Sequence, residues 1–143
     1  MLNMAASLLH EKTQIRVSSV LNRDVKQFGK KYLTDEEEDT CWNSDQGCPQ
    51  WILVDFHRDV KVKDIQLQFQ GGFAGKECWV ESGKEAVHMS KTADFYPEDI
   101  NSLQTFTLSE EPVATVMRII FNSSTDFFGR ITLYKLDILG EPS

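Results

Sequence analysis

The chain has 143 residues, 41% hydrophobic and 10% aromatic, with 15 basic against 22 acidic side chains and a formal net charge of −7. That length and apolar content support one domain whose core needs no disulfides, and they exclude wholesale disorder. The acidic balance argues against a nucleic-acid backbone or an anionic membrane as the main partner, because both reward clustered Lys and Arg.

At the N-terminus, residues 5–9 of "MLNMAASLLHEK" precede His10, Glu11 and Lys12 and are too few for the apolar region of a signal peptide. No other stretch approaches the ~20 apolar residues of a membrane-spanning helix. Cys41, Cys48 and Cys78 are odd in number and follow no disulfide-framework spacing, which fits a reducing compartment. An intracellular, non-secreted protein is expected, and the sequon at Asn122 is read as chance. Residues 1–14 are expected to form an N-terminal extension of low order, although residues 4–12, like residues 22–31, are also compatible with a short helix.

From residue 51 onward the pattern is that of strands. "WILVDF" (51–56) is a continuous apolar run rich in β-formers. In "IQLQFQ" (65–70), Ile65, Leu67 and Phe69 alternate with glutamines, which marks a half-buried antiparallel strand. Val60 and Val62 have the opposite parity, so a bulge near Lys63-Asp64 has to reset the register. Further strands are predicted in "ECWVES" after the loop 71–75, in "AVHMSKTADF" before Pro97, and in "LQTFTL" and "TVMRIIF" on either side of Pro112. The last is "GRITLYKLDILG", where the apolar parity switches between Leu133 and Leu136 and predicts a second irregularity. About eight short antiparallel strands with no sustained helical period mean an all-β sandwich or barrel.

The segments "RVSSVLN", "LTDEEEDTCWNSD", "QWILVDF", "IQLQFQGG" and "GRITLYKLDILG" stand in an order and spacing that resembles the discoidin, or coagulation factor type C, family. The resemblance covers about residues 15–140. It implies a single-domain jelly-roll β-sandwich of the galactose-binding-like kind. A narrower set, "TCWNSDQG", "QFQGGF", "DFYPED", "NSLQTF" and "TDFFGR", resembles nuclear-receptor-associated proteins that repress an orphan receptor of the testicular type. That likeness implies a protein of the nucleus, with the cytoplasm as a further location. Its partner would be the receptor, and it would hinder binding to the response element, with no direct contact to nucleic acid or membrane.

Candidate site residues follow from the two readings together. In calcium-binding members of the wider family the loop after the first strands wraps an ion, and the resemblance carries that role to Asp35, the carbonyl of Glu37, and Thr40. Calcium wants six to eight oxygens, whereas here the family's glycine is Glu36 and its late carboxylate aligns with Lys135. The balance favours a solvated acidic turn with Thr40 bonded into the loop. No other cofactor is indicated. Trp42, Trp51, Ile65, Leu67 and Phe69 are expected in the core, while Trp79 is open between core and surface.

The loops "QGGFAGKE", "DFYPEDINS" and "TDFFGR" offer Phe73, Phe95, Tyr96, Asp126, Phe127, Phe128 and Arg130 for a protein partner, since aromatics beside an Arg are a hot-spot composition. Phe127 and Phe128 have no lysine neighbours that would suit membrane spikes. Catalysis has little support: the three histidines are dispersed, no phosphate loop or hydrolase motif occurs, and Cys41 and Cys48 lack partners for zinc. The expectation is a non-catalytic interaction module, with two alternatives. One is a calcium-dependent binder of carbohydrate or another small ligand. The other is an adaptor subunit of a larger assembly, such as a ubiquitin ligase.

Overall fold

A computed structural model describes residues 5–143. The fold is all-β, and its described residues form nine strands rather than about eight. They are β1 (Ala6–Ser7), β2 (Gln14–Val17), β3 (Trp42–Asn43), β4 (Gln50–Phe69), β5 (Cys78–Glu85), β6 (His88–Phe95), β7 (Gln104–Thr107), β8 (Val113–Phe121) and β9 (Thr132–Pro142).

The architecture is organised by β4, which is 20 residues long and serves two groups of neighbours. Its first half pairs with β2 and β8, and β8 passes the ladder on to β5 and β6. Its second half pairs with β7 and β9, and β9 in turn takes β1 and β3. Between the halves the register with β8 shifts from Asp55 to Val60. His57 occupies this corner with a positive φ of 55°, its N–H donated to Asp55 Oδ1 at 2.9 Å. A bulge of this kind bends a strand and increases its twist, so one strand carries the chain around the core.

The two parity switches of the sequence have physical counterparts. The β4–β9 register shifts between Val62 and Asp64, which brings Val60 and Val62 to the same interior as Ile65, Leu67 and Phe69. It shifts again opposite Tyr134, between Leu133 and Lys135, so Leu133 and Leu136 are both buried. Phe121 sits at the middle of the resulting core, edge-on to Phe69 with centroids 5.7 Å apart and 6.3 Å from the Trp42 ring.

Three expectations are corrected. Trp51 is not in the core. Ile52, Val54 and Phe56 take the inward face of β4, and a period of two then turns Trp51 outward, where it is half-buried beneath Arg118. Residues 6–8 of the N-terminal extension belong to the fold, not to a tail of low order: Ala6 and Ser7 pair with Gly140 and Leu139, and Leu8 is 1% exposed. Residues 1–4 of that extension lie outside the described residues. No helix forms over residues 5–12. The helix falls instead within the alternative segment, as α1 (Val25–Phe28) with a 3-10 turn on either side. Asp24 starts α1, accepting the Gln27 N–H and the Gln27 side-chain amide, which satisfies a donor that helix geometry leaves free.

Because Leu8 is enclosed, Leu8→Ala is expected to cost about 2–5 kcal/mol in urea unfolding. Val87→Ala, at the exposed β5–β6 turn, should change stability by no more than ~0.5 kcal/mol. Equal, small effects at both positions would mean that the N-terminal strand is not part of the cooperative unit.

Candidate functional site at the loop pole

Three loops leave the ends of the strands at one pole of the jelly roll, and short polar side chains tie them together. In the loop 96–103, Asp99 Oδ1 accepts the Gly72 N–H at 2.7 Å and the Thr125 hydroxyl at 3.2 Å. Asn101 Oδ1 accepts the Gly71 N–H at 2.7 Å. Thr125 completes the link, its Oγ1 accepting the Ala74 N–H and its own N–H bonding the Ala74 carbonyl. Asp99, Asn101 and Thr125 were not singled out from sequence. The signal available was a cluster of short Asx and Thr side chains around Pro97 and Gly71-Gly72, the residues that bond loop backbone best.

Arg130 is held at the centre of the pole. Its Nε and Nη2 donate to the two oxygens of Asp126 at 2.9 and 3.3 Å, and its backbone N–H donates to the same carboxylate at 3.0 Å. The guanidinium lies 5.1 Å from the centroid of Phe73 and 5.7 Å from that of Phe128, within the range of cation–π attraction. Gly129 adopts φ 81°, and a Cβ there would lie 2.8 Å from the backbone of Gly47, so only glycine lets the loops 44–49 and 126–130 approach this closely.

Two exposed aromatics stand outside this frame. Phe127 is 93% exposed and packs edge-on against Phe128 at 5.3 Å, while Tyr96 is 70% exposed. The remaining candidate, Phe95, is corrected: it closes β6 and is buried against Phe106 with centroids 4.7 Å apart, so it supports the loop instead of presenting it. Of the expected partner-binding set, the structure therefore brings together Phe73, Asp126, Phe127, Phe128 and Arg130. Tyr96 stands exposed on the loop that Asp99 ties to the other two.

The acidic loop is built differently. Residues 35–39 are all exposed. Asp35 uses both carboxylate oxygens within the loop, Oδ1 accepting the Glu37 N–H at 3.0 Å and Oδ2 the Thr40 hydroxyl at 2.7 Å. Glu36 takes the left-handed φ of 62°. Lys135 lines the same groove as Glu36, Glu37 and Glu38 and sets a cation among them. Among the described residues no three His, Cys, Asp or Glu side chains are grouped to hold an ion. The donor set does not fit calcium. Beneath the loop Trp42 is buried, its indole N–H donated to the Ser19 carbonyl at 2.9 Å. Trp79 is half-buried, its N–H on Glu81 and its ring under Lys91.

The histidines are dispersed over the described surface. His10 accepts the Lys12 N–H, His57 lies beside Asp55 and His88 beside Glu85, so the three remain apart. Burial pushes the Cys78 thiol up to about 12, with lesser contributions from Cys48 and Glu77, and keeps it protonated at neutral pH.

The fold and its looped pole define a galactose-binding-like domain, and comparisons agree. The F5/8 type C domain of a Bacteroides fragilis protein superposes with a TM-score of 0.80 at 14% identity, covering 97% of this chain and 98% of that one. The family 32 carbohydrate-binding module of Clostridium perfringens NanJ, solved in complex with galactose, gives 0.79 at 14% identity over 95% and 99%. The profile of the family described as "Anaphase-promoting complex, subunit 10 (APC10)" matches residues 5–92. Within that class, the chain belongs to the family of nuclear receptor 2C2-associated proteins. It is 57% identical to the Xenopus laevis member over 96% of this chain and all of that one. It is 56% identical to the Danio rerio member, over 96% and 98%, and 49% identical to the Homo sapiens member, over 96% and 99%.

Two outcomes follow from the site geometry. The Arg130 hydrogen bond, ahead of its charge, holds the Asp126 carboxyl below the ordinary carboxylate range, against a partial opposing effect of desolvation. A lowered folded pKa gives stability that is present above the unfolded value of ~3.9 and is lost as pH falls through the folded value. Asp126→Asn should therefore lower the urea midpoint at pH 7, and the gap from wild type should close as the pH falls below ~4. A gap of constant size from neutral to acid pH would mean that the ion pair contributes nothing. Second, the thermal midpoint is expected to be the same in chelator and in millimolar calcium, with magnesium as control. A rise of several degrees with calcium alone would show an ion bound to the native state.

Proposed function

We propose that this chain is a non-catalytic protein-interaction module of the nucleus that binds a nuclear receptor and hinders its engagement with the response element. The observation that carries the reading is the loop pole, where Arg130, fixed by Asp126, lies against Phe73 and Phe128, exposed Phe127 packs on Phe128, and exposed Tyr96 stands on the adjoining loop. Rigid aromatic anchors around an arginine form the composition that dominates protein–protein affinity. The names of the relatives, nuclear receptor 2C2-associated proteins, supply the class of partner. A sugar site is less well supported: it rests on a fold shared with a carbohydrate-binding module at 14% identity, and Asp126 already takes two of the five guanidinium donors of Arg130.

The acidic run at 35–39 suits a receptor whose DNA-binding surface is basic, since exposed carboxylates would compete with phosphate for the same Lys and Arg side chains. In binding measured against the purified receptor, Phe127→Ala with Phe128→Ala should weaken affinity at least tenfold, mainly through faster dissociation. Replacing the acids of 35–39 with Ser or Gln should instead slow association and flatten its salt dependence. Wild-type affinity in the first variant would remove the loop pole from the interface. An unchanged salt slope in the second would remove the electrostatic part of the mechanism.

The family match over residues 5–92 favours one further reading, an adaptor subunit of a larger assembly. It differs in outcome: purified chain would enter a stoichiometric complex that persists through size exclusion in cells lacking the receptor.

A further inference from the structure

The charge of this chain is segregated. Residues 12–31 hold six basic side chains and one acid, in a molecule of net charge −7. The fold gathers Arg16, Lys26, Lys30 and Lys31 around one groove of about 550 Å³. None of these four has an ion-pair partner among the described residues. By contrast, Arg118, which lies over the Trp51 ring, is paired with Glu81.

The groove itself is apolar. Val17, Val20, Val25 and the outward face of Trp51 line it, and Val25 is 60% exposed although it opens α1. β2 supplies Arg16 and Val17 to this lining and pairs with β4 alone, so its other edge is free among the described strands. In an antiparallel strand every second residue turns its N–H and C=O to that free side. A free edge beside apolar lining is the arrangement to which an extended peptide adds as a further strand.

We propose that this groove docks an extended acidic segment of a protein partner. Backbone hydrogen bonds to β2 hold the segment, its aliphatic or aromatic side chains enter between Val25 and Trp51, and its carboxylates meet the four unpaired cations. A nucleic acid would use the cations but leave the apolar lining and the strand edge without a role; the peptide uses all three. The inference stands apart from the receptor reading, since it uses no residue of the loop pole.

The test is a display selection of random peptides about nine residues long on the full chain, with counter-selection on K26E/K30E. Both lysines are exposed, so that variant should melt at the wild-type midpoint. If it melts lower, Lys26→Gln with Lys30→Gln makes the same comparison. Recovered sequences should alternate Asp or Glu with aliphatic or aromatic residues. Their affinity should fall at least tenfold on K26E/K30E and on Val25→Asp, and hold on Phe127→Ala. Amide exchange at residues 14–17 should slow in the complex. Recovery of no acidic family would overturn the proposal, as would peptides that bind the charge-reversed chain equally well. So would a short DNA duplex that competes with the best peptide and binds more tightly.

Discussion

The structure depends on one constraint: β4 must line the core along its whole length while turning a corner. A straight strand of that length would run past a domain this small, since each residue advances the chain by about 3.3 Å. The bend at residues 55–60 solves this by changing the register once against β8, and the bulge at Val62–Asp64 restores an inward face for the second half. Everything else hangs on these two irregularities. The first half of β4 collects β2 and β8, and the second collects β7 and β9. Phe121 from one group then meets Phe69 from the other. The His57 conformation is the local cost of that corner, offset by the Asp55 hydrogen bond and by the burial of Phe56 and Val60 on either side.

What could be read from sequence follows from where periodicity speaks. Glutamines between Ile65, Leu67 and Phe69 made the facing of that stretch unambiguous, and the opposite parity of Val60 and Val62 required the bulge. "WILVDF" was silent on facing because Trp51 and Leu53 are as apolar as Ile52 and Val54. Leu53 is in fact nearly as buried as its inward neighbours. Trp51 was therefore misplaced for want of a polar residue to break the tie. Phe95 misled for the reverse reason: Tyr96 and Pro97 read as loop, yet β6 runs one residue short of them and the ring packs inward. Ala6–Ser7 is too short for any period to register, and only its pairing with β9 reveals it. The loop residues of the pole were legible by composition. Their assembly was not, because Asp99, Asn101 and Thr125 act across 26 to 51 residues of sequence.

Net charge was the least informative number, because it averages two opposed regions. The acids of 35–39 follow the basic stretch 12–31 directly in the chain, and the fold keeps them distinct. The acids share a groove with Lys135 and Tyr134, while the cations line the groove bounded by β2 and α1. An acidic protein of this kind can therefore attract a basic surface on one side and an acidic segment on another.

The loop pole shows how such a molecule can expose aromatic rings and still hold their geometry. The loop at 71–74 has its backbone donors satisfied by side chains of the other two loops, which ties the three together. Arg130 carries this furthest. Its charge is met by Asp126, its plane is covered by Phe73 and Phe128, and its carbonyl is bonded by Ser124. With the arginine spent on rigidity, recognition falls to the rings themselves, and Phe127 is the one left with little but solvent around it. Ordering an interface side chain costs about 0.5–1.5 kcal/mol on binding. A ring held on a pre-bonded loop has met much of that cost during folding, so the frame of polar contacts and the exposed apolar tip are parts of one device.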